Sequence, residues 1–135
     1  EDLGLAVVER YTERVFAALT AETANTETPI DYLTAFVSVY RHALKGSNSI
    51  CLCGMLGAES AGLPEKLAAA VAAFFQENID RIAANLPRTM PAKARREKAT
   101  HILATLQGAM TVATSLKSHK VFDNAVRDLL AGAEV

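Results

Sequence analysis

Glycine and proline are scarce, seven and four in 135 residues, and nowhere do apolar and polar residues alternate long enough to propose a strand. A sheet is excluded as the main element. Neither sign of charge dominates, the formal net charge being −1, so the chain carries no electrostatic footprint for nucleic acid. The sequence also lacks a signal peptide and a hydrophobic anchor, which points to a cytoplasmic protein without a membrane partner. The two cysteines, Cys51 and Cys53, stand too close together for an intrachain disulfide framework and read as thiols. His42, His101 and His119 are scattered, with no His-Glu-x-x-His pair, no second cysteine pair to complete a zinc site and no glycine-rich phosphate loop after a strand. Glu59, Cys51, Cys53 and His42 would meet at a metal only through the fold, and Glu59 reads more simply as a local cap or salt-bridge partner. No catalytic residue, metal site or cofactor is expected, and the chain is expected not to be an enzyme.

What the chain does have is apolar surface, half of its residues, mostly alanine, leucine and valine. Residues 1–135 make one all-α domain of ordinary size. Its organising element is residues 99–116, ATHILATLQGAMTVATSL, eighteen residues without Asp, Glu, Lys or Arg. Ile102, Leu103, Leu106, Ala109, Met110, Val112, Ala113 and Leu116 spread over about half the helix circumference, wider than a surface stripe. The other half is small. Ala104, Gly108, Thr111 and Ser115 follow at spacings of four, three and four, so a second helix backbone can approach there. The run is near the lower length limit for a membrane span, but its Thr, Gln, His and Ser content and the preceding Arg95, Arg96, Glu97 and Lys98 exclude one. Both faces want a protein neighbour, and a second subunit covers the outer one more readily than a domain this small. The alternative is that Ala104, Gly108 and Thr111 accommodate a helix of the same subunit.

Six helices are expected along the chain. In the first, Leu3, Val7, Tyr11, Val15 and Leu19 step by four, with Leu5, Val8 and Phe16 widening the face. Polar residues 25–29 break it, Pro29 opens the second helix with Asp31 in its first turn, and Tyr32, Phe36 and Tyr40 form a line to about Lys45. Gly46, Ser47 and Asn48 are expected to stop it. Residues 49–62, SICLCGMLGAESAG, predict a short or irregular helix whose Gly54 and Gly57 serve close packing. Leu63 and Pro64 start the fourth, with Leu67, Val71, Phe74, Phe75, Asn78, Ile82 and Leu86 inward. Pro87 and Pro91 lead into the long fifth helix, and a short sixth carries Phe122, Val126 and Leu129. The chain opens on Glu1 already in helix-forming sequence, which suggests that something upstream is missing.

The helix lengths, the opening EDLGLAVVERY, the CLCGMLGAE segment and the LQGAM of the long helix together resemble the C-terminal regulatory domain of TetR/AcrR-type bacterial transcriptional repressors, over the whole chain. In that family a three-helix DNA-binding domain comes first and ends near a junction that Glu1, Asp2 and Leu3 match. The helix-turn-helix is missing here, so the resemblance implies operator DNA contact only through that missing domain. It also implies a homodimer in which the last two helices of each subunit form a four-helix bundle. Ala104, Gly108, Thr111, Val112, Ser115, Phe122, Val126 and Leu129 are then the candidate interface.

The resemblance further implies a small-molecule effector held between the first five helices, with Tyr11, Phe36, Tyr40, Cys53, Met55, Phe74, Phe75, Asn78, Gln107 and Met110 as candidates. Such a lining suits a medium-sized apolar or aromatic molecule. An aromatic stripe at helical spacing is equally plain core. Asn78 and Gln107 are better signals, since an amide on an apolar arc needs a partner, which a ligand, a water or a backbone carbonyl can provide. Cys51 and Cys53 are candidate reactive thiols, following His42 and Lys45 at the start of a short helix, and this would make the chain an electrophile or redox sensor. ICLCGML reads as well as buried packing. A helical adaptor with no ligand would show the same dimer without a cavity.

Overall fold

The computed structural model describes residues 2–47 and 51–133, and six α-helices account for most of them. They are α1 (Asp2–Thr23), α2 (Pro29–Ser47), α3 (Leu52–Ala58), α4 (Glu65–Ala84), α5 (Ala92–Leu116) and α6 (His119–Ala133), with a 3₁₀ turn at Ser60–Gly62 between α3 and α4. No strand occurs among the described residues. Prolines mark three of the starts: Pro29 is the first residue of α2, and Pro64 and Pro91 immediately precede α4 and α5. At α2 the Thr28 hydroxyl also accepts a hydrogen bond from the Asp31 amide at 3.1 Å.

Two expected boundaries behave differently. Helix α2 continues through Gly46 to Ser47, and no glycine among the described residues takes a positive φ, so Gly46 is not a left-handed cap. Asn48, the other expected stop, lies outside the described residues, as do Ser49, Ile50 and Glu1. The left-handed cap is instead Lys117, φ 54°, which ends α5 by donating to Thr114 O while Ser118 donates to Ala113 O. That pairing satisfies two terminal carbonyls and stops the helix without glycine.

Five helices pack in a ring, α1 on α2, α2 on α6, α6 on α5, α5 on α4 and α4 back on α1, with α3 laid against α4 beside α1. Inside the ring lies one core that includes Leu19, Phe36, Tyr40, Phe74, Leu106, Met110 and Phe122. In α1 the buried line runs through Val8, Phe16 and Leu19, and Gly4 rather than Leu3 faces Leu67. Leu3 and Val7 therefore fall one residue, about 100° of helix rotation, to the side of that line. They are 78% and 49% exposed.

Helix α5 divides as its composition requires. Ala99, Ile102, Leu103, Leu106, Ala109, Met110 and Ala113 are buried, while Ala104, Gly108, Thr111, Val112, Ser115 and Leu116 are exposed. Among the described residues no helix covers the small-residue stripe. A Cβ built on Gly108 meets nothing within 4 Å, which removes the intrasubunit explanation of the stripe.

Candidate functional site

Helix α3 is short, and its two inner glycines decide how close it lies to its neighbours. A Cβ on Gly57 would stand 3.0 Å from Phe75 Cε2, and one on Gly54 would stand 2.6 Å from Gln107 Oε1. Either would force a shift. With glycine at both places, α3, α4 and α5 enclose a groove of about 500 Å³, within the size range of small-molecule sites. Phe75 and Ile79 of α4, Leu103 and Gln107 of α5 and the two α3 glycines line it, together with Thr100, Ala104, Gly108, Thr111 and Val112. None of these side chains is charged. A smaller depression of about 330 Å³ between α1 and α4 differs sharply in this respect, because Glu9, Glu13 and Glu77 line it.

Gln107 is the polar feature of the groove. Its Oε1 lies toward Gly54, and its Nε2, buried from solvent, has no hydrogen-bond partner among the described residues. Thr114 Oγ1, about two turns further along α5, is also buried without a partner among the described residues. The groove's two hydroxyls are already engaged, Thr100 donating to Arg96 O at 2.8 Å and Thr111 to Gln107 O at 3.1 Å. An unpaired buried amide is costly, so its presence in a groove is informative.

Of the residues expected around an effector, Phe75 and Gln107 line this groove and the others do not. Phe36, Tyr40, Phe74 and Met110 are core. The aromatic rings form two groups, Phe36 lying 5.7 Å from Tyr40 and Phe74 lying 5.6 Å from both Tyr11 and Phe75 between centroids. Asn78 has a partner at each amide atom, Oδ1 accepting from Tyr40 Oη at 2.6 Å and Nδ2 donating to Phe74 O at 2.8 Å. Burial holds the Tyr40 phenol well above its ordinary pKa, with the nearby Cys51 adding to the shift. Met55 points outward. The lining residues not anticipated as such include Leu103, expected on the apolar face of the fifth helix, and Ile79 and Thr100, for which the sequence reading gave no role. Gly54 and Gly57 had been noticed as close-packing positions, and their spacing of three was the available signal.

The cysteines sit on the closed side of α3. Cys51 accepts a hydrogen bond from Tyr11 Oη at 2.9 Å, and both thiols are buried. Burial, reinforced by Cys51, pushes the Cys53 thiol up to about 12, away from the thiolate that reacts. Tyr11 is likewise shifted upward, by burial first and then by Cys51. Among the described residues no three His, Cys, Asp or Glu side chains gather as a metal site.

The expected interface residues separate into two groups. Ala104, Gly108, Thr111, Val112 and Ser115 form the exposed stripe, and the first four also line the groove. Phe122 and Val126 are buried in this chain's own core, where Arg41 of α2 lies 5.8 Å above the Phe122 ring and pairs with Asp123 at 3.1 Å. They leave no surface for another subunit, and Leu129 is half-buried.

Residues 29–128 match the family described as transcriptional regulator LmrA/YxaF-like, C-terminal domain. The fold is similar to that of a TetR transcriptional regulator from Legionella pneumophila, with a TM-score of 0.85 and 19% identity over 96% of this chain and 71% of that one. It is similar also to a TetR-family transcriptional regulator from Agrobacterium tumefaciens, with a TM-score of 0.85 and 25% identity over 96% of this chain and 72% of that one. No curated protein matches the chain in sequence.

Proposed function

We propose that this chain, which belongs to the LmrA/YxaF-like C-terminal domains of TetR-type transcriptional regulators, senses a small-molecule effector in the α3–α4–α5 groove and pairs with a second copy through the outer face of α5. The observation that carries the effector reading is the groove itself, about 500 Å³ of uncharged space with an aromatic wall and one unpartnered amide. A ligand-free adaptor has no use for such a feature. The dimer reading rests on the uncovered stripe, where Val112 and Leu116 are 46% and 63% exposed among small residues.

The two readings meet at Ala104, Gly108, Thr111 and Val112, which both border the groove and belong to the stripe. A second copy seated there roofs the groove, so effector occupancy and subunit pairing are linked. Through a DNA-binding domain carried elsewhere in the regulator, that linkage would change operator affinity by a coupling of about 1–3 kcal/mol, acting in the cytoplasm. Among the described residues no helix is long and apolar enough to cross a membrane. The thiol-sensor alternative draws no support from the geometry, since Cys53 is buried and its pKa raised.

The test uses light scattering and a neutral solvatochromic dye, Nile red, on the 135-residue chain. A dimer mass at micromolar concentration and saturable dye binding are expected. Gly108→Arg, made where a side chain has open space, should give a folded monomer. A monomeric parent chain overturns the pairing, and dye binding that Gly108→Trp leaves untouched overturns the groove.

A further inference from the structure

We infer that the groove selects a neutral molecule presenting a hydrogen-bond-accepting oxygen to Gln107 Nε2. This rests on the effector reading above and narrows its chemistry. Charge is excluded from the ligand by the wall, because no lining side chain could compensate a cation or an anion taken out of water. A ligand donor finds no free amide oxygen, since Oε1 is turned against Gly54, and would have only the Thr100 and Thr111 hydroxyl oxygens to accept it. Acceptors are the complement. Thr100 and Thr111 already donate to their own helix, which leaves Gln107 Nε2 as the unengaged side-chain donor of the lining.

Reaching it requires a small motion with a low barrier. The terminal torsion of a glutamine is broad, so the amide turns toward an entering oxygen without leaving a rotamer well. Gly54 makes the stowed position available, holding the amide oxygen where any larger residue would displace it. In the empty groove no protein group among the described residues pairs with the NH₂ group, and a bound acceptor would pair with it. The ligand is therefore recognised through a group the empty groove leaves unsatisfied, which favours the occupied state.

The test compares four matched naphthalenes on the full chain: 2-acetylnaphthalene, its hydrocarbon isostere 2-isopropylnaphthalene, 2-naphthoate and 2-naphthylmethylammonium. The ketone and the hydrocarbon should bind and the two ions should not. Gln107→Leu should weaken the ketone about five- to tenfold, the loss of one hydrogen bond, and leave the hydrocarbon unchanged or tighter. In wild type the Gln107 side-chain ¹H–¹⁵N pair should shift with the ketone and stay in place with the hydrocarbon, a readout that packing alone would not give. Equal effects of Gln107→Leu on both neutral probes, or an ion binding as well as the ketone, overturn the inference while sparing the groove. Failure of every probe to bind, or binding indifferent to Gly108→Trp, removes the effector reading and the inference with it.

Discussion

Asn78 and Gln107 carry the same functional group on the apolar arcs of two helices that pack together, α4 and α5, and their surroundings are opposite. Around Asn78 the molecule is closed: Tyr40 donates to its oxygen, its nitrogen reaches the Phe74 carbonyl, and the residue is fully buried. Around Gln107 it is open, with a groove on one side, the α3 glycines nearby and an amide nitrogen without a hydrogen-bond partner among the described residues. A buried polar side chain is architecture where tertiary partners complete it. Where they are missing, it is left for a ligand to pair, as the proposed function requires.

Replacing each amide by leucine breaks the comparison most directly. Asn78→Leu strands the Tyr40 hydroxyl in the core and overfills the site, which should destabilise by about 2–4 kcal/mol. The melting midpoint should fall by roughly 10 °C. Gln107→Leu removes an unsatisfied group, so it should be neutral or stabilising by about 1 kcal/mol. Thermal unfolding of both variants checks the pair. Equal destabilisation would mean that Gln107 is as structural as Asn78.

This asymmetry explains how much the sequence revealed. Fold was legible because its signals are local: Pro29, Pro64 and Pro91 at helix starts, and the uncharged residues 99–116 of α5 between two packed neighbours. Rotation about an axis was less so. Leu3 and Val7 satisfied the four-residue step yet fell beside the buried line, because Gly4 is what α4 allows to approach. At the site, Gln107 and Phe75, an amide and a ring on apolar arcs, both line the groove. What separated them from Asn78 and Phe74 was the placement of α3, whose glycines show that something approaches but not what. Phe122 and Val126 were assigned outward on the strength of the family pattern, whereas α2 and Arg41 close over that face of α6.

Helix α3 contains both environments in adjacent residues, and pH separates them. Cys53 faces the closed side and its pKa is lifted from 9.0 to about 12, by burial first and then by Cys51. A group whose folded-state pKa is raised contributes stability fully below its unfolded value and loses it as pH rises toward the folded one. Stability should therefore hold up to about pH 9 and then decline toward pH 12, by at most about 1.4 kcal/mol per unit from this thiol. Urea midpoints against pH, for the parent and Cys53→Ala, give the difference. The same burial should protect Cys53 from a thiol reagent at neutral pH until the chain unfolds, and rapid native-state modification would place it with the open region.

Gly54, the next residue, faces the groove and gives the smallest stability effect with a distinct functional one. Alanine there improves helix propensity by up to about 1 kcal/mol. Against that, its Cβ would stand 2.6 Å from Gln107 Oε1, so the amide has to move. The amide is the far end of a flexible side chain, and an off-rotamer displacement costs about 0.5–1.5 kcal/mol. The two terms nearly cancel, and Gly54→Ala should melt within a few degrees of the parent. Binding should not cancel, since the displaced amide and the new methyl both intrude on the groove. The affinity for 2-acetylnaphthalene should fall severalfold at nearly constant stability. Gly57→Ala is the contrasting control: its Cβ would press on the Phe75 ring at 3.0 Å, a rigid neighbour packed on the core, so it should lose stability along with binding. A Gly54→Ala chain that binds the ketone as the parent does would show that the stowed position of the amide has no part in recognition.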